Sequence, residues 1–378
     1  MSDLLHLINK IKTRLKFFFR KTQRLCVDFG LIKKNRTPIM YISEKKHWAI
    51  YWEGVGIANE LNKRLSKPVI EVTHKVHSIR SPIIHFGSQY MWEIWRDIIP
   101  KNSKVVVNFF HGKPEDGSKA LKHIEDFISN HLLIDFIVVS NSITQSRLIS
   151  WGIPEDKIVK IYIGLNSKIF NVRTETEKLI SRNDLGFSPD EFVVGSFQKD
   201  GIGWGTGSKP KLIKGPDIFI KTVQELAKNI KVSVLLTGPS RGYLVSALKK
   251  ADIKFKHCEV GNYLDIPFYY HALDLYLITS REEGGPKGLM EALASGVPVV
   301  STPVGMCVDL LPGLENCGLT KGFEVNEIVS TILKLREKKY NLSSELTVDK
   351  IINQIDYEVV ANEYLEKVYK PLYKDLFK

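Results

Sequence analysis

The stretch Ser280-Arg-Glu-Glu283-Gly-Gly-Pro-Lys-Gly-Leu-Met-Glu291-Ala-Leu-Ala-Ser-Gly-Val-Pro-Val-Val-Ser301 decides how this chain is read. Two glutamates are separated by seven residues, the first before a Gly-Gly-Pro-Lys-Gly turn and the second on the segment that follows. That segment is predicted to be a helix from Lys287, apolar at Leu289, Met290 and Leu293 and stopped by Gly296, with a strand at Val297–Ser301 behind it. The first amides and the positive dipole end of such a helix face the turn, which makes a pocket suited to an anion. Carboxylates flanking the pocket grip hydroxyls while the amides grip oxygens or phosphates. A nucleotide-sugar carries both kinds of group.

Outward from this stretch, apolar runs alternate with amphipathic ones, the pattern of βαβ units and parallel sheet. From Thr37 the predicted strands are Ile39–Ser43, Pro68–Thr73, Ile83–Phe86, Lys104–Phe110, Leu133–Val139 and Ile158–Ile163. Ala49–Trp52 reads as a further short apolar element, then a Glu53-Gly-Val-Gly56 turn and a helix around Ile57–Leu65. Gly164-Leu-Asn166 approaches an interdomain linker, after which the same grammar restarts. Strands are predicted at Phe192–Phe197, Ser233–Thr237, Phe255–Val260 and Leu273–Ile278. Helices are predicted at Pro216–Leu226, through Leu248, over 327–336 and over 356–376. Two successive α/β units of similar size imply a two-lobed protein with a cleft.

The 378 residues are 43% hydrophobic and 25% charged, an ordinary globular composition, and length alone allows two to three domains. No apolar run is long enough for a membrane-spanning helix. Cys26, Cys258, Cys307 and Cys317 form no Cys-x-x-Cys pair and no zinc-ligand spacing, which favours a reducing, cytoplasmic setting. Half of the net charge of +12 comes from residues 1–24, where seven Lys/Arg face one acid. Leu4, Leu7, Ile8, Ile11, Leu15, Phe18 and Phe19 share one helical face, with most of the cations opposite. A basic amphipathic helix over residues 4–24, lying on an anionic membrane surface, is the reading this favours over a helix docked on its own domain. Nucleic acid is not expected as a partner, since no recognition module accompanies the cations. The repeated Lys and Arg also argue against a signal peptide.

Other segments carry candidate chemistry. Gly195-Ser-Phe-Gln-Lys-Asp-Gly-Ile-Gly-Trp-Gly-Thr-Gly207, running on to Lys214-Gly-Pro, reads as a flexible loop after a strand whose amides and lysines embrace a diphosphate. It is no Walker loop, because Gly207-Ser-Lys lacks the Gly-Lys-Ser/Thr order. Val105-Val-Val-Asn-Phe-Phe-His111-Gly112 puts a histidine at the carboxyl end of a strand, where α/β folds place ligands. Gly54-Val-Gly56 is an incomplete dinucleotide fingerprint and weak evidence for a nicotinamide cofactor.

The glutamate stretch, Lys214-Gly215 and His111-Gly112 resemble the motifs of the family 4 (group 1) retaining glycosyltransferases. The resemblance is densest over 192–310, weaker over 105–170, and absent over 1–35. It implies the GT-B fold: two Rossmann-like α/β domains facing a cleft, with a C-terminal helix crossing back to the first. The boundaries it implies are an extension at 1–36, an acceptor domain at 37–170, a donor domain at 171–355 and the returning helix at 356–378. It implies that Glu283 and the following amides, at Gly284, Gly285 and Gly288, hold the donor sugar. Glu291 would hold the ribose, Lys214 the diphosphate, and His111 the sugar from the opposite lobe. Ser140-Asn-Ser142 and Ile163–Asn166 also look like family elements and read as scaffold.

One departure stands out. Ser196 stands where the resemblance implies a phosphate-binding arginine; Lys199, Arg241 and Arg281 are the candidates for the missing cation, with Lys199 ranked first because it shares the loop. No metal and no cofactor are expected, since amides and lysines take the metal's part. The expectation is therefore a retaining, hexosyltransferase-like enzyme moving a sugar from a nucleoside-diphosphate sugar to a glycan or glycolipid, peripheral at the inner face of the plasma membrane. A nucleotide-sugar epimerase and a non-catalytic nucleotide-sugar or glycan binder remain as alternatives. The base, the sugar, the acceptor and the linkage have no code in these motifs.

Overall fold

A computed structural model describes residues 37–44, 49–74, 80–203, 205–337 and 345–374. The basic amphipathic segment 4–24, with the rest of the extension 1–36, lies outside the described residues. The chain divides into two compact units, one of residues 1–139, 147–161 and 360–378, the other of residues 140–146 and 162–359. Each unit holds one six-stranded parallel sheet. These are the two Rossmann-like halves that the alternating pattern predicts.

The first sheet contains β1 (Ile39–Ile42), β2 (Ile70–Thr73), β3 (Ile83–Phe86), β4 (Lys104–Asn108), β5 (Phe136–Val139) and β6 (Ile158–Lys160), in the order β2-β1-β3-β4-β5-β6. Every residue of β1 and β3 is buried, as expected for strands covered on both faces. The order reverses between β1 and β3, which makes their carboxyl ends the unit's topological switch point.

The Gly54-Val-Gly56 turn is not there. Ala49–Arg64 is one continuous helix, and both glycines lie inside it. A Cβ on Gly54 would come within 2.5 Å of the Tyr41 ring, so glycine here lets the helix pack on β1. The nicotinamide reading loses its basis with the turn.

The last predicted helix is divided. Tyr357–Tyr364 is α-helical, Leu365–Tyr369 widens into a π-turn, and a short turn follows at Lys370–Leu372. Pro371 has no amide to give Lys367, which favours a local change of pitch just before it. Val360, Tyr364, Val368 and Tyr369 pack with Ile39, Tyr41 and Val106 in one core of the first unit. A buried polar chain runs through that core. His85 Nδ1 lies 2.7 Å from the Tyr369 hydroxyl and Nε2 lies 2.8 Å from Asn108 Oδ1. The amide oxygen can only accept, so Nε2 carries the proton and Nδ1 accepts from the phenol. Burial lowers the His85 pKa to about 4, partly opposed by the Asn108 hydrogen bond, and the ring is neutral at pH 7.

The second sheet contains β7 (Phe192–Ser196), β8 (Val232–Thr237), β9 (Phe255–Cys258), β10 (Leu275–Ile278), β11 (Val299–Ser301) and β12 (Gly318–Leu319). Its order is β12-β11-β10-β7-β8-β9, and the reversal falls between β7 and β10. Their two carboxyl ends lead into the glycine-rich segment and the glutamate stretch. The topology alone therefore brings together the two segments singled out for donor chemistry.

Candidate active site

At the end of β10, Ser280 leads into the turn and Lys287–Ala294 forms the motif helix, with Leu289 through Ala294 all buried. Gly296 closes it at φ 68°. The glycines of the turn have steric reasons. A Cβ on Gly285 would stand 2.5 Å from both Ile163 Cδ1 and Met306 Sδ, and one on Gly288 would stand 2.1 Å from the Tyr276 hydroxyl. The Gly284 carbonyl accepts from Met306 N at 3.1 Å and from Asn141 Nδ2 at 2.8 Å, which fixes the turn.

Lys214 ends a single 3₁₀ turn, Leu212–Lys214. Gly215 then takes φ 64°, and a Cβ there would fall 1.7 Å from the Thr279 carbonyl oxygen. Only glycine lets this segment lie against the end of β10. The consequence is direct: Lys214 Nζ reaches Glu283 Oε1 at 2.6 Å, and Ser280 Oγ donates to the same oxygen at 2.9 Å. Glu283 is 8% exposed and the Lys214 side chain 24%. Two residues assigned to the donor from 69 positions apart in the sequence are thus in contact.

Lys211, which the sequence reading passed over, belongs to the same cluster. It is exposed as a residue. Even so, its pKa is lowered, first by desolvation, then by repulsion from Lys214, with Glu283 opposing and Lys199 adding to the repulsion. Lys211 therefore feels two other lysines, Lys214 and Lys199, as well as the Glu283 carboxylate, and an anion would relieve that repulsion. The signal was in the sequence, because Lys-Pro-Lys-Leu-Ile-Lys214 spaces Lys211 and Lys214 one 3₁₀ turn apart.

Arg241 does not fit its expected place at the donor. Its side chain is fully enclosed, and its donors reach the Ser196 carbonyl (2.6 Å), the Thr237 carbonyl (2.6 Å), Ser196 Oγ (3.1 Å) and Asp200 Oδ1 (3.1 Å). Burial works against the charge of both Arg241 and Asp200, and each charge is held by the other. The guanidinium does sit beside Ser196, where a cation was sought, but it serves as a strut between β7 and β8. Arg281 is likewise occupied, pairing with both Asp217 oxygens at 2.8 and 2.7 Å and donating to the Leu212 carbonyl.

The glycine-rich segment is also not a free loop. Gly201 bridges Pro210 in antiparallel fashion, Ile202 N donates to Lys209 O at 2.9 Å, and Lys211 N donates to Asp200 O at 2.7 Å. Gly242 N and Tyr243 N tie it down through the Thr206 and Gly207 carbonyls at 2.7 and 3.0 Å. The glycines serve this stitching: at Gly207, with φ 72°, a Cβ would lie 2.1 Å from Ser240 O. Lys199 stands half-buried at the segment's start.

Glu291 is 6% exposed and is held by two phenols, Tyr263 at 2.7 Å on Oε1 and Tyr270 at 2.8 Å on Oε2. In the first unit, His111 is half-buried three residues beyond β4, and its carbonyl accepts from Gln89 Nε2 at 3.0 Å. A cavity of about 320 Å³ opens elsewhere in the second unit, at the amino-terminal edge of the sheet beside Phe192, Leu275 and Pro298. There Lys178 and Arg182 are both engaged by Asp274. It lies at the opposite end of the strands from the glutamates.

The family model described as glycosyl transferases group 1 matches residues 206–338. An uncharacterised glycosyltransferase of Methanocaldococcus jannaschii is 25% identical over 70% of this chain and 65% of its own length. The lipopolysaccharide core biosynthesis mannosyltransferase LpsB of Rhizobium meliloti is 30% identical over 40% of this chain and 42% of its own. The chain thus spans less than two thirds of the length of these two relatives. The alpha-galactosylglucosyldiacylglycerol synthase of Streptococcus pneumoniae is 24% identical over 85% of this chain and 88% of its own. Among solved structures, Anabaena HepE, crystallised with UDP-glucose, superposes with a TM-score of 0.67 at 17% identity, covering 88% of this chain and 99% of that one. Residues 206–338 thus resemble the group 1 glycosyltransferases, and the two six-stranded parallel sheets share the GT-B fold of the solved glycosyltransferase structures.

Proposed function

We propose that the protein transfers a sugar from a nucleoside-diphosphate sugar to a hydroxyl of a glycan or glycolipid, with retention of configuration. The observation that carries this reading is the Lys214–Glu283 pair beside the motif helix, with Lys211 and Lys199 close enough to repel. In the free enzyme each partner stands in for a ligand group. When a donor enters, its diphosphate takes Lys214, and Glu283 is released to accept from sugar hydroxyls. The three lysines and the helix amides then meet the charge that grows on the leaving diphosphate, which is why no metal is invoked. Glu291 takes the ribose hydroxyls, and His111 is the first unit's candidate for hydrogen bonding to the sugar.

With the donor bound, Glu283 is committed to Ser280 and the sugar hydroxyls, so a double displacement through it is disfavoured. The proposed route is front-face. The bond from the anomeric carbon to the phosphate oxygen breaks with its electron pair leaving on the diphosphate. The acceptor oxygen bonds to the same face, and its proton passes to the departing phosphate oxygen. The lipid- and lipopolysaccharide-directed names of two relatives support an acceptor at a membrane. So does the basic, apolar-faced sequence of residues 4–24, which suits an anionic cytoplasmic surface.

The test is incubation with UDP-, GDP- and ADP-sugars, with and without membrane acceptors, followed by proton coupling constants of the new linkage. Transfer with the donor's anomeric configuration is expected, undiminished by a chelator. An inverted product contradicts the front-face route. Conversion of the donor's sugar without any acceptor contradicts transfer and favours an epimerase. Deleting residues 1–24 is expected to abolish sedimentation with anionic vesicles, and unchanged sedimentation contradicts the membrane assignment.

A further inference from the structure

Glu291 differs from Glu283 in what holds it. Each of its two oxygens accepts from a different phenol, and among the described residues no cation pairs with it. Tyr270 is fully buried, edge-on to Phe197 with ring centroids 4.7 Å apart and tilted against Tyr276 at 5.5 Å. Tyr263 comes from the short turn Tyr263–Asp265, is 48% exposed, and among the described rings meets only Phe170, edge-on at 6.2 Å. Burial first, then the Glu291 charge, drives both phenols far above their usual pKa, so both stay protonated and both donate.

A carboxylate has about four acceptor positions. One on each oxygen is filled by a tyrosine, and one on each oxygen remains. Two remaining acceptors, side by side on a carboxylate whose rotation is blocked, match two neighbouring hydroxyls. A single hydroxyl satisfies only one of them and leaves a nearly buried acceptor unpaired.

We infer that Tyr263 and Tyr270 form a harness that makes Glu291 a selector for the intact ribose diol, Tyr270 as the fixed arm and Tyr263 as the solvent-facing arm that sets the strength of selection. This rests on the assignment of Glu291 to the ribose made above. Both tyrosines are positioning residues, and neither needs to touch the ligand.

The test is isothermal titration of the full chain with UDP, GDP and ADP and with their 2′-deoxy counterparts. The wild type is expected to prefer the best ribonucleotide over its deoxy form by ~10-fold or more, the scale of one hydrogen bond to a charged group. Tyr263→Phe, at an exposed site where folding is not at risk, is expected to cut that ratio at least threefold. Glu291→Gln is expected to bring it near one, and adding Tyr263→Phe to Glu291→Gln is expected to change it no further. If a nucleotide binds but Tyr263→Phe keeps the wild-type ratio, or lowers it equally in the Glu291→Gln background, the harness is refuted while the donor assignment stands. If none of the six nucleotides binds, the donor assignment itself fails and this inference falls with it.

Discussion

The two sheets end in different chemistry at equivalent places. At the first switch point, between β1 and β3, the histidine is neutral and enclosed: His85 is shut in by Tyr369 and Asn108, Gly87 N donates to Ile42 O at 2.8 Å, and the Glu44 carboxylate accepts from Ser88 Oγ at 3.0 Å. At the second, between β7 and β10, the polar atoms are charged and within reach of solvent, with Lys214 on Glu283 and Lys211 nearby. One architecture thus carries an enclosed neutral histidine in one unit and lysines gathered at a carboxylate in the other. The difference teaches that a switch point offers a ligand site but does not make one; the side chains delivered there decide.

The comparison can be broken most directly by substitution on each side. Lys214→Ala is expected to lower transfer by ~10²–10³-fold, the range for loss of one preorganised group facing developing charge. Tyr369→Phe is expected to leave the rate within about twofold while costing about 1–3 kcal/mol of stability, because His85 Nδ1 loses its donor. Steady-state kinetics alongside urea unfolding separate the two. Equal rate losses in both variants would erase the distinction.

Acid sharpens the contrast. His85 has a folded pKa of about 4 against an ordinary value of 6.5. Between those limits the unfolded chain binds more protons, so stability falls as pH falls through that window. The loss is on the order of 3 kcal/mol for this group. Urea midpoints measured from pH 7 to pH 4 are expected to fall more steeply for the wild type than for His85→Gln. Parallel curves would show that the ring is not held neutral.

Matched glycines give a smaller effect. Gly54→Ala, against the Tyr41 ring, and Gly288→Ala, against the Tyr276 hydroxyl, are each expected to cost about 1–3 kcal/mol. Only Gly288→Ala is expected to weaken nucleotide binding as well, since it crowds the first turn of the motif helix. The smallest expected effect is that of Lys211→Ala, roughly two- to fivefold on donor affinity, the scale of an exposed charge. A loss as large as that of Lys214→Ala would make Lys211 the principal cation.

How far the sequence carried depended on whether the cause was local. Periodicity placed the motif helix and every strand of the two sheets except the two-residue β12 within a few residues, because burial on both faces and a glycine stop are local signals. Lys214 and Glu283 were named separately, but their contact depends on Gly215 passing under the Thr279 carbonyl, which only the fold reveals. Arg241 misled because the cation was counted and its partner was not: Asp200 lies 41 residues away and encloses it. Gly54-Val-Gly56 and the segment 201–210 misled in the same sense. Glycine was read as freedom for a turn or a loop, and here it is room for a neighbour. The two tyrosines on Glu291 had no signal at all, since neither spacing nor residue type marks a phenol aimed at a carboxylate.

The central claim is that the charged switch point of the second unit is a diphosphate site. Thermal unfolding of the wild type and of Lys214→Ala, with UDP, GDP and ADP each at saturating concentration, tests it most directly. At least one nucleotide is expected to raise the wild-type midpoint by several degrees, and the shift is expected to disappear in Lys214→Ala. No shift with any of the three, or the same shift in both proteins, would contradict the account.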